Sequence, residues 1–147
     1  MSNNIKEILA ERDAVKFATD AGTDMHNRLG RVVVDGDKTR GDTNLVAHIQ
    51  ANPRLAKMFC SSSMVEVPIA GNIGARFISR RIDRLYVDDD AKIVYVLDYK
   101  TDVNRTVFRD KYVAQLREYA ALLRQIYPKY KCCCFILWTH DWTLESV

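Results

Sequence analysis

Two short runs rich in Ile, Val, Leu and Tyr, residues 82–87 and 91–100, flank an acidic break at Asp88, Asp89 and Asp90. That pattern predicts an antiparallel hairpin. Upstream, Val65, Val67 and Ile69 alternate with polar or small residues and mark a first strand, with Glu66 on the opposite face, either a plain exposed glutamate or one that orients a basic neighbour or a metal-bound water. Gly71 and Gly74 turn the chain into a second strand over 75–87, and a third follows over 92–99. Beyond a loop through Asp102 and Asn104, the residues Val113, Leu116, Ala120, Leu123 and Ile126 recur at helical spacing, predicting a helix over 110–126 that Pro128 stops. An apolar run over 132–138 predicts a last strand. The helix before it suits a parallel pairing with the third.

The first part of the chain reads as helical. Residues 5–20 place Ile5, Ile8, Leu9, Ala14, Val15 and Ala18 at near-helical spacing among charges, and Gly22 ends that segment. A second helix is predicted over 24–34 with His26 one turn before Leu29, although Gly30 weakens its middle. A polar loop over 35–43 leads to short helices over 44–50 and from Pro53 to near residue 60, and three serines then break the chain. Gly36, Gly41 and Thr43 have the spacing of a phosphate loop, but Asp42 occupies the position that must be Lys. No nucleotide-binding loop is therefore expected, and an ATP-driven motor would have to reside elsewhere. The element order predicts an α/β fold, a mixed sheet with flanking helices in αβββαβ order and extra N-terminal helices.

Composition narrows the class without naming the chemistry. A chain of 147 residues, 48% hydrophobic and 28% charged, suits one soluble globular domain. Its longest apolar run, near 132–138, is too short to cross a bilayer, and the N-terminus lacks a secretory leader pattern. No membrane partner and a cytoplasmic location are the expectations. Cys60 and the consecutive Cys132, Cys133 and Cys134 have neither disulfide-framework nor zinc-site spacing, so they are expected as small apolar residues. The net charge of +3 says little, but Arg76, Arg80, Arg81 and Arg84 crowd the strand that carries Asp83, and Arg105, Arg109 and Lys111 follow the next one. These could flank a phosphate backbone, or form an ordinary solvated surface.

The hairpin holds the most informative chemistry. Asp98 and Lys100 point to one face of their strand and Tyr99 to the other. With the loop centred near Asp90 and Ala91, Asp83 comes opposite Asp98; a tighter turn would shift the pair to a diagonal of about 7–8 Å. Like charges facing each other are unfavourable, and a carboxylate on an apolar strand carries a desolvation cost. A divalent cation between them would remove both objections. The plain alternative is a surface ion pair between Asp98 and Lys100 with Asp83 solvated nearby.

An Asp on one strand followed by a hydrophobic strand ending Asp-Tyr-Lys-Thr resembles the PD-(D/E)XK nuclease superfamily, specifically the RecB-type nuclease domain at the C-terminus of AddA-type helicase-nucleases. The stretches that carry the resemblance are Gly22 to Leu29, Glu66 to Ile69, Ile82 to Leu85, Leu97 to Thr101 and Gln115 to Tyr119, in the family's order. Arg80 departs from it, since relatives often carry Gly two residues before the Ile-Asp pair. The resemblance implies a restriction-endonuclease-like core over 64–139 behind a helical part over 1–63, together one RecB-type domain. It also implies a magnesium-dependent deoxyribonuclease of double-strand-break repair that works on DNA with a helicase domain or an AddB-type partner subunit.

The same resemblance implies roles for residues. Asp83, Asp98, His26 (from the Gly-x-x-x-His pattern) and the Tyr99 carbonyl would hold Mg²⁺ or Mn²⁺, ions that suit such ligands. Lys100 would orient the attacking water or stabilise developing charge. Gln115 and Tyr119 share a helix face and would lean toward the centre. Arg81, Arg84, Arg105 and Arg109 are the expected DNA contacts, while His48 and His140 are left structural. Two other readings stay open: a noncatalytic DNA-binding or scaffolding domain that keeps the nuclease fold, and an unrelated α/β binding protein.

Overall fold

A computed structural model describes residues 22–147. The helix expected over 5–20 lies outside the described residues. Five strands form one mixed sheet in the order β1 (Met64–Ile73), β2 (Arg76–Asp88), β3 (Ile93–Lys100), β4 (Lys131–Trp138) and β5 (Thr143–Ser146). The first three are mutually antiparallel, β3 and β4 are parallel, and β5 runs back along β4. The parallel pair follows from α4 (Arg105–Ile126), which returns the chain to the end of the sheet at which β3 begins.

Helices cover both faces. α4 packs on one, where Val94, Val96, Cys134, Ile136 and Trp138 meet Val113, Leu116, Tyr119 and Leu123. The other is covered by α1 (22–30), α2 (Thr43–Gln50) and α3 (Pro53–Lys57), with Leu29, Ile49, Leu55 and Phe59 set against Leu97, Tyr99, Phe135 and Leu137. Even and odd positions of β3 and β4 thus enter opposite cores, which is why both strands read as nearly continuous apolar runs.

Several boundaries differ from the sequence expectation for local reasons. α1 ends at Gly30 rather than continuing to residue 34, and Val33 instead pairs with Arg40. Asp42, in the place of a phosphate-loop lysine, caps α2 by accepting from the Asn44 and Leu45 amides, and it also accepts from Arg28. Gly71 lies inside β1, where a Cβ would come within 3.0 Å of Leu122, so the close approach of α4 favours glycine there. The turn itself falls at Gly74, with φ of 61°. α4 starts five residues early because its first turns carry Val107 and Phe108 outward and show no buried stripe. At its other end Ile126 is exposed and Tyr119 and Leu122 are buried in its place. β5, too short and polar to announce itself, is tied to α4 by Arg109 with Glu145, and Arg105 with Asp141 braces the turn that leads into it.

Candidate functional site

The hairpin loop is centred on Asp90 and Ala91, and the β2–β3 ladder runs from Asp88↔Ile93 to Arg84↔Leu97. There it stops. β2 goes on pairing with β1 as far as Arg76↔Ile73, and β3 goes on pairing with β4 as far as Lys100↔Trp138. The two strands therefore part like a fork, with Asp83 and Asp98 at its base. Alternation along β2 slips at the same place, since Ile82 and Leu85 both enter the α4-side core. On β1 the residue level with Asp83 is Glu66, which has a left-handed φ of 52°. Such a conformation is uncommon for a non-glycine residue, and it marks the slip on the neighbouring strand.

Each branch of the fork supplies part of the site. Asp83 Oδ2 accepts from the Tyr99 amide at 2.8 Å, replacing the backbone bond that a continued ladder would have made. The Lys100 carbonyl accepts from Thr139 on the β4 side. Successive strand residues direct their backbone groups to opposite edges, so the Tyr99 carbonyl shares the opened edge with Asp83. On the α1 side, His26 Nδ1 lies 2.7 Å from the Gly22 carbonyl and donates to it, which leaves Nε2 facing Asp83 Oδ2 at 3.1 Å. On the α4 side, Lys100 Nζ is 3.0 Å from Asp98 Oδ2 and 3.4 Å from Gln115 Oε1. Gln115 Nε2 donates to the Tyr119 hydroxyl at 2.8 Å, and that hydroxyl donates to the Arg81 carbonyl. The amide and phenol thus form a chain from the ammonium back to β2.

Burial decides the electrostatics. Asp98 is 2% exposed, and among the described residues its Oδ2 has no hydrogen-bond donor: Lys100 stands at ion-pair distance but outside hydrogen-bonding alignment. Burial first, and the charge of Asp83 second, push the Asp98 carboxyl up to about 7 against the pull of Lys100. Burial also works against a charge on His26, but the hydrogen bond and charge of Asp83 outweigh it and raise the imidazole to about 9. The reciprocal effect overcomes burial at Asp83 and holds its carboxyl below the ordinary value. At neutral pH the pair is therefore an imidazolium on a carboxylate, beside a carboxyl that burial and its acidic neighbour make harder to ionise.

His26, Asp83, Tyr99 and Lys100 border an open cavity of about 750 Å³ that Glu66, Arg81 and Tyr112 also line, while Asp98 is not among its lining residues. The donors suit a hard divalent ion in kind: two carboxylates, one with an unsatisfied buried oxygen, an imidazole whose other nitrogen is fixed by a carbonyl, and a strand carbonyl on the same edge. Their present arrangement is the self-paired one, His26 on Asp83 and Lys100 near Asp98. Among the described residues, no group of three His, Cys, Asp or Glu side chains is gathered about one point.

The expected DNA contacts divide. Arg81 is exposed, lines the cavity and lies 3.5 Å from Glu66. Arg84 is a correction, being 2% exposed in the interior. Its guanidinium donates to the Tyr99 hydroxyl, to Ser63 Oγ and to the carbonyls of Leu29 at the C-terminal end of α1 and of Val32 just beyond it, and it stacks over Phe59. The slip at Asp83 turns it inward. Arg105 and Arg109 are not among the cavity's lining residues and are engaged with Asp141 and Glu145.

One participant was not anticipated. Tyr112 donates to Asp102 Oδ2 at 2.6 Å and presents its ring to Lys100. Its position three residues before Gln115 places it on the same helix face, a signal available from spacing alone. Glu66, expected either as a plain exposed strand residue or as one that orients a metal-bound water or basic neighbour, is exposed, lines the cavity and lies beside Arg81, and nothing in the sequence foretells its left-handed backbone. No model of a known protein family matches this chain, and no curated protein matches it.

Proposed function

We propose that the chain is a metal-dependent deoxyribonuclease of RecB type, serving as the nuclease component of a helicase-nuclease in double-strand-break repair. The observation that carries this reading is the fork. It sets two carboxylates side by side, one almost wholly buried with an oxygen lacking a donor, next to a lysine amine. A fold gains little from such an arrangement by itself, because burying a carboxylate beside a second one is costly even with an ammonium at ion-pair distance. The cost is understandable if the carboxylates serve a cation.

Asp83, Asp98, the Tyr99 carbonyl and His26 would hold Mg²⁺ or Mn²⁺, which supplies Lewis-acid contact to a phosphate and lowers the pKa of water. His26 must then give up its Nε2 proton, and the Gly22 carbonyl keeps the other nitrogen protonated and the ring in place. Lys100, a compact point charge freed from part of its attraction to Asp98, faces the cavity where a phosphodiester oxygen would gain charge. Gln115 steadies that ammonium, and Tyr119 steadies Gln115. Arg81, at the rim, is placed to meet a neighbouring phosphate. The expected partners are DNA and a helicase domain or an AddB-type subunit.

Incubation of end-labelled single- and double-stranded DNA with the protein in Mg²⁺, Mn²⁺ or EDTA tests the reading. Shortened products that require the metal are expected. Retention of intact DNA on the protein without shortening under any metal would instead support a noncatalytic DNA-binding domain. Neither retention nor shortening would contradict both.

A further inference from the structure

Among the described residues, Lys100 and Tyr112 alone line both the cavity at the fork and a second one of about 480 Å³, which is also bordered by Arg80, Lys111, Gln115 and Glu118. The lysine amine stands at the junction, with room on either side. Asp98 draws it toward the fork at 3.0 Å, but that attraction weakens once Asp98 shares its charge with a metal ion. Gln115 Oε1, at 3.4 Å, is a long contact to a neutral group. The third neighbour is the face of the Tyr112 ring, whose centroid is 4.1 Å from Nζ.

That ring is held from three directions. Its hydroxyl donates to Asp102, two residues beyond Lys100, at 2.6 Å. Behind it, the fully buried Trp138 packs at 6.0 Å between centroids, and Phe108 stacks on it one helical turn earlier at 6.1 Å. Burial and the neighbouring Asp102 keep the phenol protonated, so the donor to Asp102 persists at any ordinary pH. The ring face attracts a cation without competing for a metal, because it offers no lone pair in the way that a carboxylate does.

We propose that Tyr112 is the positioning residue for Lys100, its ring face holding the ammonium at the mouth of the fork cavity when Asp98 is engaged elsewhere. What Lys100 does there rests on the nuclease reading; what holds it rests on geometry alone. Asp102 acts one step further back, by fixing the ring. Gln115 shares the task but cannot replace an aromatic face, since its amide is committed to Tyr119.

Two measurements on the full chain test this separately from cleavage as such. Lysines are dimethylated with ¹³C, and the Lys100 signal is assigned by its loss in Lys100→Arg. In wild type and Tyr112→Phe that signal is expected upfield of the exposed lysines through the ring current, with and without Mg²⁺. In Tyr112→Leu it is expected to move back among them. Cleavage should show the same order: Phe within about threefold of wild type, and Leu down roughly tenfold in kcat with KM unchanged. A Lys100 signal that is unshifted in wild type, or still shifted in the Leu variant, overturns the assignment, as does a Leu variant cleaving at the wild-type kcat. Absence of cleavage in every protein would fell the nuclease reading, while the resonance would still decide what holds Lys100.

Discussion

Replacing Lys100 with alanine is expected to reduce DNA cleavage by roughly 10²–10³-fold, the loss typical of removing one group that meets developing charge, while the folded protein persists. Persistence follows from the state of its neighbour. Asp98 is already pushed up to about 7 by burial and Asp83, so without the ammonium it can take up a proton and avoid an isolated buried charge. A variant that merely misfolded would show the loss for a trivial reason. Thermal unfolding followed by circular dichroism therefore accompanies the cleavage assay, and a midpoint within a few degrees of wild type is expected. Undiminished cleavage by Lys100→Ala would remove the lysine from the chemistry.

Arg84→Ala is expected to be the most destabilising of the substitutions considered. Among the described residues the guanidinium has no carboxylate partner; it is balanced by the carbonyls of Leu29 at the C-terminal end of α1 and of Val32 just beyond it, by Tyr99 and Ser63, and by the face of Phe59. Truncation leaves those acceptors buried without donors and opens a cavity, at a cost of about 3 kcal/mol or more. For a chain of this size that is roughly a 10 °C fall in the unfolding midpoint. Lysine would not rescue it, because one ammonium cannot reach four separated acceptors in a plane. The position also matters to the site. Arg84 anchors the helix that carries His26, so any folded fraction should lose grip on the imidazole. A midpoint unchanged by Arg84→Ala would show that the buried network contributes little.

Much of this architecture was legible because alternation and helical spacing are written by burial. The acidic loop narrowed the hairpin to two registers, both of which bring Asp83 near Asp98, and the one centred on Asp90 and Ala91 is the one formed. The parting of β2 from β3 was not readable. It arises where Asp83 takes the Tyr99 amide that a backbone carbonyl would have taken, together with the left-handed Glu66 beside it, and neither leaves a mark on composition or periodicity. The same slip reversed the expectation for Arg84. Grouped with the neighbouring arginines of its strand it looked like a surface cation, yet three-dimensional context made it the most buried charge of that strand. Tyr112 was within reach from its spacing to Gln115, but its tie to Asp102 depends on how the loop after β3 folds back.

Calorimetric titration of Mn²⁺ at pH 6 and pH 8, on wild type and Asp98→Asn, measures the central claim most directly. Binding requires proton loss from Asp98, near 7, and from His26, near 9, so the wild-type affinity should rise by at least about tenfold between the two pH values. Asp98→Asn should lose the site at both. Equal affinity in the two proteins, or no Mn²⁺ binding by the wild type at pH 8, would contradict the claim that the fork between β2 and β3 is built to hold a divalent cation.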